Sequence, residues 1–127
     1  MSQPKRSNPV NNVFSIILGA FLMLEGVWGL FSEVVFGMFT TNTVHAVIHI
    51  LLGIAGIVLG IKQNAGGFCT LLGVFLLCVS AIWFTLGPDS FLIRLLNVNQ
   101  PVAVLNAVVG LLSLAVVYYR RPNELKN

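Results

Sequence analysis

Four long stretches of the chain are almost empty of charge, and nothing else about it restricts the fold so severely. Between Val13 and Leu30 the only ionisable residue is Glu25, and Val44 to Ile61 carries only His45 and His49. Between Ala65 and Leu86 there is no charged residue, and between Pro101 and Tyr119 no acid or base besides tyrosine. Each run approaches the roughly 20 residues that cross a hydrocarbon core as helix. A backbone without water partners must close its own hydrogen bonds, which makes helix the economical conformation.

Composition agrees. Only 9% of the 127 residues are charged and 57% are hydrophobic, where a soluble domain carries about 25% charged residues. So little charge cannot coat a water-facing surface, and lipid is the solvent that remains. Lys5 and Arg6 before the first run fit a cleaved secretory signal, but the run is long, holds Glu25 and is repeated later. It is read as a retained span.

The net charge of +3 does not indicate a nucleic-acid partner, because of where the positives lie. Lys5, Arg6, Lys62, Arg120, Arg121 and Lys126 precede the first span, separate spans two and three, or follow the fourth; only Arg94 lies between spans three and four. Six against one places both termini and the middle loop in the cytoplasm. Cys69 and Cys78 share a span at a spacing that puts them on opposite faces, so they cannot bridge each other.

The two halves resemble each other. Phe14-Ser-Ile-Ile-Leu-Gly19-Ala-Phe21-Leu22 matches Phe68-Cys-Thr-Leu-Leu-Gly73-Val-Phe75-Leu76, and downstream Asn42, His49 and Gly53 match Asn99, Asn106 and Gly110. Residues 1–127 therefore form one membrane domain, with one repeat at about 13–62, a second at about 67–121, and cytoplasmic tails at 1–12 and 121–127. Each repeat holds two spans and returns to its starting side, so the repeats are parallel, related by an axis along the membrane normal. The expected fold is all-α: a four-helix transmembrane bundle of two such hairpins. The outer loops, Glu33–Phe39 and Ser90–Leu96, are apolar but too short to span, and are expected as interfacial helices or re-entrant segments. Asp89 is expected to cap the second of these, and Pro101 to start the fourth span. Arg120-Arg121-Pro122-Asn123 is expected to end that span.

Lipid offers no hydrophobic drive between helices, so small residues must bring them together. Gly19 and Gly26 with Ser15 mark span one; Gly53, Gly56 and Gly60 mark span two. Gly73 with Gly66, Cys69 and Ser80 marks span three, and Gly110 with Ala103 and Ala107 marks span four. Packing within the chain is the expected use, a homo-oligomer or partner contact the alternative.

Function must be sought among polar residues at membrane depth. A charge at mid-bilayer costs roughly 2.5–3.5 kcal/mol on insertion scales, so Glu25 is expected protonated or paired. At 1.5 Å per residue Glu25 and His49 both lie roughly 7–10 Å below the outer edge, and Asn106 occupies the place of His49 in the second repeat. Glu25, His49 and Asn106 are thus read as a buried polar layer. Interhelical hydrogen bonding is its plainest use, and a proton or ion relay through Glu25 and His49 is a second. A third is ligation of metal, haem or pigment by His45 and His49, whose i, i+4 spacing sets two imidazoles on one face. A zinc site wants three or four protein ligands, and no cofactor is required by the sequence. Catalytic triads, phosphate-binding glycine loops and paired catalytic carboxylates are not readable, so no enzymatic activity is expected. Trp28, Trp83, Tyr118 and Tyr119 are read as interface anchors.

The segment Asn42-Thr-Val-His-Ala-Val-Ile-His49-Ile-Leu-Leu-Gly53-Ile-Ala-Gly56, echoed by Leu105-Asn106-Ala-Val-Val-Gly110, resembles the signature of an uncharacterised bacterial family of small four-helix integral membrane proteins, a domain of unknown function. The resemblance covers residues 13–120, with His49, Gly53 and Asn106 as the matching positions. It implies a fold and no activity. Small multidrug exporters also place a Glu in span one, but their weak charge bias differs from six against one. The expectation is a multi-pass protein of the bacterial inner (cytoplasmic) membrane, or the thylakoid of a photosynthetic host, serving as a structural or accessory subunit of a membrane complex. Proton-coupled or small-solute transport, and cofactor binding, are the competing readings.

Overall fold

The apolar runs do close their hydrogen bonds as helices. The computed structural model describes residues 9–118 and contains four helices long and apolar enough to cross a membrane. They are α1 (Pro9–Phe31), α2 (Thr43–Ile61), α3 (Gly66–Leu86) and α5 (Gln100–Tyr118). Between α1 and α2 lies a two-stranded antiparallel ribbon, β1 (Val34–Val35) and β2 (Phe39–Thr40), and between α3 and α5 the short helix α4 (Phe91–Leu96).

Glycines set the contacts within each pair of helices. A Cβ on Gly19 of α1 would lie 2.6 Å from the Gly53 carbonyl oxygen of α2, and one on Gly53 the same distance from that of Gly19. Only hydrogen fits in that space. The antiparallel crossing continues with Gly26 against the Ala46 carbonyl and Ile50, Gly56 against the Ser15 carbonyl and Phe68, and Gly60 against Asn12 and Ile16. The Ser15 hydroxyl donates to the Gly56 carbonyl at 2.6 Å. In the second pair, Gly73 of α3 and Gly110 of α5 meet in the same manner, a Cβ on either lying 3.0 Å from the other's carbonyl oxygen. There the Ser113 hydroxyl donates to the Cys69 carbonyl, also at 2.6 Å.

The two pairs join through side chains. Leu18 and Leu22 of α1 pack with Leu72 and Leu76 of α3, and Phe39 and Ile48 of the first half pack against a cluster of Val79, Ile93, Leu96, Val98, Val102 and Ala103 from the second. Polarity is inverted relative to a water-soluble protein. Ser15, Glu25, His45, Ser80, Asn106 and Ser113 are buried, whereas Ile17, Leu51, Leu71 and Leu111, one from each long helix, are 60–74% exposed. Contiguous apolar surface of this kind needs an apolar solvent.

The outer loops depart from expectation in part. Residues 91–96 are helical, but 33–39 are neither helix nor re-entrant segment. Val34 pairs with Thr40 and Val35 with Phe39 around a three-residue loop, residues 36–38, in which Phe36 (φ 55°) and Gly37 (φ 74°) both have positive φ. That combination matches the right-handed twist of a tight hairpin. Phe36 tolerates it while its ring lies against Phe21, Trp28 and Phe39. Asp89 does not cap α4; Ser90 occupies the cap position without a side-chain cap bond, and Asp89 instead lies 3.8 Å from Arg94 at an exposed site. Residues 9–12, read from sequence as tail, are helical, and Asn11 and Asn12 are buried. The remaining tail residues, Tyr119 and the stop at Arg120–Asn123 lie outside the described residues.

Candidate functional site

The start of α2 positions the histidines. Asn42 takes the N-cap position, and its Oδ1 accepts from the His45 backbone N–H at 2.9 Å, satisfying a donor that the first helical turn leaves free. From that fixed start His45 and His49 stack one turn apart, their rings edge to face with centroids 4.3 Å apart. Glu25 of α1 meets them from the side. Its Oε2 is 3.7 Å from His49 Nδ1, with the two side chains 7% and 12% exposed. Either distribution of one shared proton, carboxylic acid with neutral imidazole or carboxylate with imidazolium, leaves this pair without net charge. That is how a Glu can be held inside lipid. Glu25 therefore faces inward and not an oligomer partner.

Asn106 of α5 is buried and lines a cavity of about 20 Å³ that His45 and His49 also line. The remaining wall is apolar, with Leu22, Leu72 and Leu76 among it. The expected layer of Glu25, His49 and Asn106 thus divides: Glu25 touches His49 and does not line the cavity, His49 and Asn106 share it, and His45 completes it. His45 Nδ1 is buried with no hydrogen-bond partner among the described residues, while the ring also interacts with the Leu96 backbone. No cluster of three or more His, Cys, Asp or Glu residues suited to a metal occurs among the described residues, so His45 and His49 gain no third ligand there. Cys69 and Cys78 are both free, the first buried and the second exposed.

Sequence reading missed a polar clasp at the same end of the bundle. Asn42 Nδ2 donates to the Leu95 carbonyl at 2.7 Å, and its counterpart Asn99 donates from Nδ2 to the Met38 carbonyl at 2.9 Å. Asn99 Oδ1 also accepts from the Val102 N–H at 3.1 Å, capping α5 as Asn42 caps α2. Between these bonds the Thr40 hydroxyl donates to the Asn97 carbonyl at 2.6 Å, and Asn97 Nδ2 donates to the Thr41 carbonyl at 2.7 Å. The signal was the matched pair of asparagines, each seven residues before its His49 or Asn106 counterpart. It marked a repeat without revealing that each half clasps the other.

A family described as Domain of unknown function (DUF4383) matches residues 12–119. The chain belongs to the DUF4383 family. With that membership and four spanning helices, it is a multi-pass helical membrane protein surrounded by lipid. The matched region takes in the histidines, the clasp and every inter-helix glycine named above. Comparison with curated proteins and with solved structures gives no match.

Proposed function

We propose that this DUF4383 chain is a non-enzymatic structural or accessory subunit of a larger membrane complex. The observation that carries the reading is how little space surrounds its membrane-depth polar residues. Glu25 is matched to His49, the serines bind carbonyls across helices, and the cavity of about 20 Å³ beside the histidines has room for one water. A solute path, a haem or a pigment needs far more space. With so little room inside, the outer faces are what remains for a partner or a second copy. The halves 13–62 and 67–121 act as one domain, supported by the matched glycine crossings and the reciprocal asparagines. The charge bias supports cytoplasmic termini, in the bacterial inner membrane or a thylakoid.

Extraction of the tagged chain from its native membrane in a mild detergent tests this. Co-elution with a stoichiometric set of other membrane proteins, or as a defined homo-oligomer, is the expected result. Recovery as a lone chain that conducts protons in liposomes would overturn it.

The Glu25–His49 contact favours a second reading, in which the pair exchanges protons with the outer face. It requires a pH-driven proton flux in liposomes that Glu25→Gln abolishes with helical content unchanged. Ligation by His45 and His49 requires metal or visible absorbance in the purified protein, lost in His49→Ala.

A further inference from the structure

We infer that the cavity between His45, His49 and Asn106 is a binding site for a single internal water molecule, which bridges the two helical hairpins at membrane depth.

Three independent observations meet there. First, His45 is 6% exposed and its Nδ1 has no partner among the described residues. The ring also interacts with the Leu96 backbone, which leaves Nδ1 as its unpartnered nitrogen, and a buried ring nitrogen without a donor or an acceptor is costly in an apolar interior. Second, the cavity that His45 lines measures about 20 Å³, above the 10–15 Å³ or so that one water requires and too small for an organic ligand. Third, the other polar groups on the wall are of the right kind. Asn106 offers both a carbonyl oxygen and an NH₂ group, and His49 adds a second imidazole. A water with two donors and two acceptors can serve His45 at Nδ1 and Asn106 in either amide orientation. An ion is disfavoured, since no charge-compensating cluster surrounds the space among the described residues.

The placement gives this water a role. His45 and His49 belong to the first hairpin, packed on α1, and Asn106 to the second, packed on α3. The asparagine clasp joins the hairpins at their loop end; the water joins them deeper, where the remaining cavity wall is apolar. It also extends the polar line from Glu25 through His49 toward Asn106. The inference stands apart from the accessory-subunit reading, since an internal water serves a packing subunit and a proton-exchanging one equally.

The test is water-to-protein magnetisation transfer by solid-state NMR. The full chain, with ¹⁵N-labelled histidine, asparagine and leucine, is reconstituted in phosphatidylcholine and phosphatidylglycerol bilayers. The His45 ring and the Asn106 side chain are expected to receive water magnetisation well ahead of the Leu18 backbone amide, which lies in a buried apolar cluster. Asn106→Leu is expected to remove the transfer to His45 with the Leu18 signal unmoved. Wild-type His45 filling no faster than Leu18 overturns the site, and that reading does not depend on any variant folding. Transfer to His45 that persists in a folded Asn106→Leu protein overturns the bridge.

Discussion

Adding one methyl group at Gly53 probes the contact that holds the first hairpin together. A Cβ there would sit 2.6 Å from the Gly19 carbonyl oxygen, 2.5 Å from Met23 Cγ and 2.9 Å from the Met23 nitrogen. Two of these neighbours are backbone atoms that no rotamer change can move, so the helices must part until the 2.6 Å contact reaches at least 3.4 Å, the near edge of ordinary van der Waals contact. A gap of 0.5–1 Å forfeits about a quarter to a half of the dispersion well for each atom pair along the crossing. Overpacking of this kind costs about 1–3 kcal/mol, against up to about 1 kcal/mol of helix propensity gained when Gly becomes Ala. Gly67→Ala is the control: nothing lies within 4 Å of its Cβ position, and it should be neutral or slightly stabilising. In detergent micelles titrated with dodecyl sulfate and followed by circular dichroism, Gly53→Ala should unfold at a lower denaturant fraction, with a net loss of about 1–2 kcal/mol. Equal midpoints for Gly53→Ala and wild type, or a greater loss for Gly67→Ala, would refute the close-crossing argument.

The same titration checks further substitutions. Asn42→Ala removes a helix cap and the bond to Leu95, about 1 kcal/mol for each, whereas Asn42→Ser should keep most of the cap and lose only the bond between hairpins. Glu25→Gln keeps a polar partner beside His49 and should stay within about 1 kcal/mol of wild type, while Glu25→Leu leaves the imidazole buried and alone and should cost about 1–3 kcal/mol. Ser15→Ala and Ser113→Ala should each cost only about 0.6 kcal/mol, the typical worth of an interhelical hydrogen bond in lipid. By mass spectrometry, a lipid-soluble maleimide should modify exposed Cys78 well before buried Cys69.

The spans were legible because their requirement is one-dimensional: enough consecutive apolar residues without charge to cross the core. The small-residue stripes were legible for a related reason, since in lipid there is little else for Gly19, Gly53, Gly73 and Gly110 to do. The loop at 33–39 was not. Its turn places Phe36 at positive φ, where Asn or Gly is the usual sign of a tight hairpin, and the aromatic contacts that hold Phe36 come from residues up to 15 positions away. Asp89 misled because acidity suits a cap anywhere; an exposed cation in the following turn took it instead. For the site, depth and periodicity brought Glu25 toward His49 and made Asn106 a counterpart. The shared cavity with His45 depends on how the hairpins meet, which no local pattern encodes. The asparagine clasp was hidden likewise, because its acceptors are backbone carbonyls, and every residue type has one.

Single-cysteine accessibility most directly tests whether the chain threads lipid four times. In a background lacking Cys69 and Cys78, Met38→Cys, Gln63→Cys and Asp89→Cys place a thiol at three exposed loop positions. Sealed vesicles of known orientation are then treated with a maleimide that cannot cross the bilayer. The account predicts that Met38→Cys and Asp89→Cys react from one face and Gln63→Cys only from the other. Reaction of all three from the same face would contradict it.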